Sequence, residues 1–479
     1  MVSKKKLFIT MIYALTSMVL YLALAQFSQD MNRPAIQIAG WIIMGQAINT
    51  ALTYYWLGIP LLSFSGIFTW LMYLFHLSQP VLIALFPDYS LDFDVSKYVL
   101  ATTYFEAIKY SFMVLFFLAI GVLIMQSYRR KDLQNSSLIQ NHSELAELIK
   151  AHNLFKTGLF IFILTFPFEI YLQISRLFVA LNEGYLATFN FELGGFFGIL
   201  ANISLVGMIM MLCGQKHNQK VGRWMLLAYT LFYLIAMFSG GRMWQVIKLL
   251  LVFTYYLQIY QIKISKKNLI LLLIGGYLLA GFLSVIADIR SYDFTSSGYI
   301  LEIAKNIFAQ NPILKVLDEF GGTIYTLTLT IDKVPAMIER SWGSQFILNF
   351  ASLLPNLTGK IDEMVNETNF VLLLKMPHIG GSLVAELYYS FGKYQPIFSL
   401  LLGMGIQAMT QKIRWDIQHN QYRFITYTAL LQYSLISWIR GSSSILYRNT
   451  FYGSLFVLVV VTYMSILKKK EVQPSWRRS

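Results

Sequence analysis

Apolar residues run through this chain in blocks too long for the core of a water-soluble domain. Leu7 to Phe27, Leu269 to Ala287 and Phe451 to Leu467 are nearly uncharged, each close to the ~20 residues that carry a helix across hydrocarbon. The strict two-residue alternation over about ten residues that marks a membrane β-strand is absent. The pattern predicts an all-α polytopic membrane protein with spans at 7–25, 36–57, 61–86, 107–127, 155–177, 194–213, 224–238, 243–261, 268–287, 395–411, 424–439 and 450–467, about twelve in all. No signal-peptidase site follows the first run, so it is expected to be retained as a helix.

Composition agrees. The chain is 56% hydrophobic and 13% charged, against about 25% charged residues in a soluble domain. Its net charge of +14 would suit a nucleic-acid partner, but the placement of the charge argues for topology instead. Lys4–Lys6, Arg129–Lys131 with Lys150 and Lys156, Lys216/Lys220/Arg223, Lys263/Lys266/Lys267, Lys412/Arg414/Arg423 and the C-terminal bases fall in alternate loops. Together they hold 22 of the 38 Lys and Arg, beside only Asp132, Glu144, Glu147, Asp416 and Glu471. The positive-inside rule then puts both termini in the cytoplasm, and no nucleic-acid partner is expected. A single cysteine, Cys213, leaves no intrachain disulfide and no cysteine metal cluster.

The hydrophilic mass is uneven, which divides the chain into 1–287 (nine spans with a cytoplasmic loop at 128–154), a large extracytoplasmic loop at 288–394, and 395–479 (three spans and a cytoplasmic tail). The loop is too apolar to be a linker. Ile300, Leu301, Ile303, Ile307 and Phe308 recur at helical spacing against Glu302, Lys305 and Asn306, and Trp342 to Leu354 reads similarly. Short amphipathic helices capping the bundle are expected there, where a loop this long is usually functional.

Charges at membrane depth cost roughly 2.5–3.5 kcal/mol each on insertion scales and need a partner or a purpose. The candidates are Glu106, Lys109, Glu169, Arg176, Arg242, Lys248, Asp288, Arg290, Glu386, Arg440 and Arg448. Four are bases on the outer side, which the positive-inside rule depletes of them. Arg242 ends Ser239-Gly240-Gly241-Arg242, Arg290 follows Asp288-Ile289, and Arg440 opens Arg440-Gly441-Ser442-Ser443-Ser444 with Arg448 beyond it. Each alone could snorkel to lipid phosphates. Collectively, arginine forks in Gly- and Ser-flanked turns suit the pyrophosphate of a lipid carrier.

The loop ends in Pro377-His378-Ile379-Gly380-Gly381-Ser382-Leu383-Val384-Ala385-Glu386. Gly380-Gly381 permits a sharp turn, Ser382 is a good helix N-cap, and Glu386 lies one turn into the helix. His378 or Glu386 could take a proton from a hydroxyl; His378 could equally serve as a hydrogen-bonding loop residue. Asp318-Glu319, before Gly321-Gly322, reads as a solvated or helix-ending turn. No P-loop, HExxH, GxSxG or Cys/His ligand spacing occurs.

The string Gly380-Gly381-Ser382-Leu383-Val384-Ala385-Glu386-Leu387-Tyr388-Tyr389-Ser390-Phe391-Gly392 resembles the segment closing the large outer loop of Wzy-type polymerases, the O-antigen and oligosaccharide-repeat-unit polymerases of bacterial surface polysaccharides. Gly321-Gly322-Thr323, Val334-Pro335, Leu353-Leu354-Pro355-Asn356 and the Ser239-Arg242 turn fit it in order. The resemblance implies a GT-C-like bundle in the bacterial cytoplasmic membrane. It implies a glycosyltransferase with no metal or other cofactor, working on the outer face. Its substrates would be an undecaprenyl-pyrophosphate-linked donor and acceptor, with membrane lipids and a candidate chain-length regulator as partners. By analogy with the related lipid-A core ligases, Arg242 and Arg290 would bind pyrophosphate and His378 would be the base. The span count also fits a lipid-linked-oligosaccharide flippase or another polytopic transporter, but major-facilitator architectures pair two six-span halves around a long central cytoplasmic loop. Here 214–223 is short and the bulk lies outside.

Overall fold

The computed structural model describes residues 4–27, 33–128, 144–183, 195–239, 242–262, 266–289, 305, 311–354, 360, 369–375 and 379–472. The regular elements among them are all helices. The amphipathic stretch expected at 300–308 lies almost wholly outside these residues.

Nine helices come first: α1 (Lys4–Ala25), α2 (Arg33–Trp56), α3 (Phe64–Leu85), α4 (Ala101–Ser127), α5 (Glu144–Glu183), α6 (Gly195–Gly214), α7 (Gln219–Ala236), α8 (Arg242–Ile259) and α9 (Lys266–Ile289). Short helices follow: α10 (Pro312–Gly321), α11 (Ile324–Lys333), α12 (Ser344–Ala351), α13 (Phe370–Leu373) and α14 (Leu383–Phe391). Three longer ones close the chain, α15 (Gln395–Gln418), α16 (Arg423–Trp438) and α17 (Ser443–Val472).

Among the described residues, seven helices are long and apolar enough to cross a membrane, α1 to α6 and α17. This is a multi-pass membrane protein. The segments Met243–Ile259 in α8 and Ile270–Ile286 in α9 are apolar but shorter. Helices α7, α15 and α16 overlie the remaining expected spans without reaching that length and apolarity. The reason is visible in their residues: α16 is only 16 residues long, α7 opens with Gln219, Lys220 and Arg223, and α15 carries Gln395, Gln407, Gln411, Lys412, Arg414 and Asp416. Helix α5 is longer than expected, running 40 residues because its apolar stretch continues directly into the amphipathic piece at Leu145–Ile149. Helix α17 starts seven residues ahead of the expected span.

The bundle has two lobes. Helices α1 to α4 pack with α15, and α5 to α8 pack with α16 and α17. The central segments of α3 and α6 are 78% buried and those of α1 and α17 only 22%, so the first pair form the interior and the second turn apolar side chains to lipid. Hydrophobic collapse cannot draw helices together in lipid, so association relies on close backbone packing. At the α4–α15 crossing a Cβ on Gly121 would lie 2.1 Å from the Leu400 carbonyl oxygen, and one on Gly403 2.0 Å from that of Leu118. Any side chain there would push the helices apart.

Two of the buried charges find each other. Lys248 on α8 donates to Glu169 on α5 at 2.7 Å, with both side chains essentially inaccessible. Tyr233 on α7 donates to the same carboxylate at 3.1 Å and Gln173 at 3.0 Å. Gln245 then donates to Gln173 at 2.7 Å and to the carbonyl of Ala236 at 3.0 Å, fastening the end of α7. The second lobe is therefore pinned by a buried polar network.

Helices α10 to α14 lie over one end of the bundle. Helix α10 packs on α3 and α9, α11 on α4 and α14, and α12 on α17. Arg33, at the start of α2, donates to the carbonyls of Pro87 and Tyr89 at 2.6 and 2.9 Å, holding the 86–100 loop at this end.

Breaking one half of the Glu169–Lys248 pair strands the other charge, at a cost of about 3–5 kcal/mol. Glu169→Gln and Lys248→Met are each expected to lower the unfolding temperature in detergent more than the double substitution does. Additive losses in that double-mutant cycle would contradict the coupling.

Candidate functional site

The end of the bundle covered by α10 to α14 contains a cavity of about 280 Å³. It is lined by Phe93 from the α3–α4 loop; Glu319, Gly322, Thr323, Tyr325 and Thr326 from the α10–α11 corner; Ile379, Gly380 and Gly381 ahead of α14; and Arg440 after α16. Four separate parts of the chain meet here.

The wall formed by 379–383 and 438–443 depends on one glycine. A Cβ on Gly381 would lie 2.3 Å from the carbonyl oxygen of Gly441 and 2.9 Å from its Cα, so the two backbones touch at Gly381 and only a residue without a side chain fits. Gly380 is not constrained in that way; the nearest atom to its Cβ position is the Arg440 carbonyl oxygen, at 4.0 Å. The Leu383 amide donates to the Ile439 carbonyl at 3.3 Å. Thr326 donates to the Gly380 carbonyl at 2.9 Å, tying the same strand of loop to α11. Ser382 caps α14, its Oγ accepting from the Ala385 amide at 3.2 Å.

Glu386 is inaccessible and does not line the cavity. Its Oε1 accepts from Gln345 Nε2 and Ser443 Oγ, and its Oε2 from Trp438 Nε1 and, at 3.0 Å, from the Ser443 amide. Asn349 Nδ2 donates to Ser443 Oγ at 2.8 Å, extending the cluster to α12. The carboxyl thus bridges α14 to both flanks of the Arg440 turn. Burial pushes it up to about 7, against the donors of Ser443, Trp438 and Gln345, which lower it.

On the opposite wall Asp318 is buried, not solvated. Its Oδ2 accepts from the Asp92 amide at 2.6 Å and its Oδ1 from Gln79 Nε2 at 3.1 Å. Gln79 also donates to the Phe93 carbonyl at 2.7 Å. Burial pushes the Asp318 carboxyl up to about 6, with the Asp92 amide and Gln79 opposing the shift and the Asp92 and Asp94 carboxylates adding to it.

The candidates from the sequence are divided by this geometry. Arg440, Gly380 and Gly381 share the cavity. Arg448 lies inside α17 rather than in the turn, because that helix begins at Ser443; its Nε donates to the Ser352 carbonyl at 3.1 Å, against the end of α12. Arg242 is the first residue of α8, and its side chain lies outside the described residues, as do Arg290 and His378. The start of α8 nonetheless reaches the Arg440 turn, since a Cβ on Gly441 would meet the Trp244 ring at 3.7 Å. Phe93, Tyr325 and Thr326 are not among the candidates from the sequence, nor is Thr323 by itself, and Glu319 enters there as part of a solvated or helix-ending turn; it lies in the last turn of α10. The only signal for these was the Gly321-Gly322-Thr323 string. Among the described residues no group of three or more His, Cys, Asp and Glu converges to hold a metal ion.

A family model described as O-antigen polysaccharide polymerase Wzy matches residues 6–471. The chain belongs to the Wzy O-antigen polysaccharide polymerase family. No curated protein and no solved structure matches it. Membership makes this Wzy-family chain a polymerase of oligosaccharide repeat units, a glycosyltransferase-type activity on lipid-linked substrates in a membrane. The sequence resemblance at 380–392 therefore identified the right family, and the cavity containing Gly380, Gly381 and Arg440 becomes its foremost candidate site.

Gly381→Ala must separate two touching backbones and is expected to cost about 1–3 kcal/mol, while Gly380→Ala stays close to wild type; equal unfolding temperatures for the two variants would refute the packing. For Glu386, the folded-state value lies above the ordinary 4.5. Folding thus favours the protonated form, and its stability contribution is present below about pH 4.5 and lost as pH rises toward 7. Melting curves across that range should fall more steeply for wild type than for Glu386→Gln.

Proposed function

We propose that this protein joins undecaprenyl-pyrophosphate-linked repeat units on the outer face of the bacterial cytoplasmic membrane. In this reading all twelve long helices cross the bilayer as a GT-C-like bundle with both termini in the cytoplasm. Residues 1–287 and 395–479 form the bundle, and 288–394 its extracytoplasmic cap. The observation that carries it is that Arg440 and Gly380-Gly381 line one capped cavity, with the start of α8 packed against the Arg440 turn.

The chemistry follows from what the cavity offers. A hydroxyl of the incoming repeat unit attacks the anomeric carbon of the growing chain. The bond from that carbon to the pyrophosphate oxygen breaks, and undecaprenyl pyrophosphate leaves with the electron pair. Charge develops on the leaving phosphate, where a fixed cation in a water-poor site stabilises it most. Arg440 is assigned that role, joined by Arg242 from the neighbouring α8 turn and by Arg290. These cations allow the reaction to run without a metal.

Arg448 is assigned to holding α12 against α17, because its Nε already donates to Ser352. Glu386 is assigned to the clamp and not to proton transfer, because donors already occupy both its oxygens. The acceptor's proton then goes to His378, two residues ahead of Gly380. Family membership favours polymerisation over the flippase reading.

The test is reconstitution of the full chain in liposomes with purified lipid-linked repeat units. Wild type is expected to produce longer glycans, and Arg440→Ala and Arg242→Ala to lose about 10²-fold or more in rate while remaining folded in the membrane. Transbilayer movement of the substrate without lengthening, or a normal length distribution in either variant, would defeat the proposal.

A further inference from the structure

The cavity has a second half for which pyrophosphate chemistry has no use. Besides Arg440 the lining holds an aromatic surface, a carboxylate and an unused hydroxyl. Phe93 keeps 38% of its surface exposed. It stacks on Tyr98 with ring centres 5.1 Å apart and meets Tyr325 edge-on at 5.3 Å. An exposed aromatic at the rim of a polar cavity suits the apolar C–H face of a pyranose ring.

Thr323 is the sharper observation. It is 6% exposed and lines the cavity, yet its Oγ1 has no hydrogen-bond partner. Its place at the start of α11 offers the usual local use for a hydroxyl, but it makes no side-chain cap there. A buried polar atom without a partner costs free energy, and a ligand hydroxyl entering the cavity would remove that cost. Glu319 lines the same wall four residues away and can accept from sugar hydroxyls.

These groups are held in register before any ligand arrives. The Asp318 carboxyl binds the Asp92 amide, and Gln79 binds both Asp318 and the Phe93 carbonyl. The residue preceding Glu319 is thereby fastened to the residue preceding Phe93. Gly321 sits so close to α3 that a Cβ would lie 2.5 Å from Ser78 Oγ and 2.7 Å from the Gln79 amide. The corner carrying Glu319 and Thr323 is therefore seated on a central helix of the bundle. Preorganised polar groups beside an aromatic face are what a neutral, hydroxyl-rich ligand requires.

We propose that Phe93, Glu319, Thr323 and Tyr325 form a sugar subsite, which holds the terminal residue of the acceptor glycan beside the phosphate half of the cavity. The assignment rests on the polymerase reading for the role of the sugar, but not for its binding.

The test uses the full-length protein in detergent with two separate probes. One is the oligosaccharide repeat unit released by mild acid from the host's own lipid carrier, free of phosphate and lipid; the other is inorganic pyrophosphate. Binding is read by saturation-transfer NMR for the glycan and by calorimetry for pyrophosphate. Thr323→Val, which keeps the side-chain shape, is expected to weaken glycan binding about 3–10-fold, and Glu319→Ala about 10-fold or more. Phe93→Leu is expected to weaken it about 3–10-fold. All three should leave pyrophosphate binding unchanged, and Arg440→Ala should do the reverse. Wild type that ignores the free glycan, or Thr323→Val and Phe93→Leu variants that bind it as wild type does, would overturn the subsite. Loss of pyrophosphate binding by wild type with glycan binding intact would instead defeat the phosphate assignment and leave the subsite standing.

Discussion

Glu386 is surrounded by donors from three other parts of the chain, and the outer wall of the cavity hangs on that arrangement. A carboxyl removed from water must be satisfied where it lies. Its satisfaction fixes Gln345, Trp438 and Ser443 relative to α14. The Gly381–Gly441 backbone contact brings the partners near enough for this to happen. Arg440 stands between the two, on a turn with little freedom to move.

The same demand operates through the rest of the bundle. Glu169 and Lys248 cannot remain single in a lipid-facing bundle, and their pairing recruits Tyr233, Gln173 and Gln245 until the last carbonyl of α7 is included. Because α8 begins beside the Arg440 turn, a pair near the middle of the second lobe also steadies one edge of the site. Asp318 does the corresponding work on the opposite wall with Gln79 and the Asp92 amide. Three buried carboxyls thus orient the elements around the cavity while staying out of it.

Similar residues are thus placed differently by their surroundings. Arg440 and Arg448 are eight positions apart in one Ser-rich stretch, yet one faces the cavity and the other holds a carbonyl of the α12 end. Glu319 and Glu386 are both acids in the cap, yet one lines the cavity and the other is enclosed. Residue type marked Arg440, Arg448 and Glu386 as candidates and left Glu319 in a solvated or helix-ending turn; only their neighbours separate them.

The apolar run lengths were enough to make the protein helical and membrane-embedded, because crossing hydrocarbon is a property of about twenty consecutive residues. They also located most of the helices to within several residues and flagged Glu169, Lys248, Glu386 and Arg440 as charges in need of a reason. The Gly380–Gly392 string added the family. The sequence could not say which partner each charge takes, because those partners lie far along the chain: Glu169 and Lys248 are 79 residues apart, Glu386 and Ser443 57. Nor could it show that Phe93, from a short loop, lines the same cavity as Thr323. Contacts of that kind arise from how whole helices pack, and in this protein the packing is decided at glycines such as Gly121, Gly381 and Gly403, where backbones meet without a side chain between them.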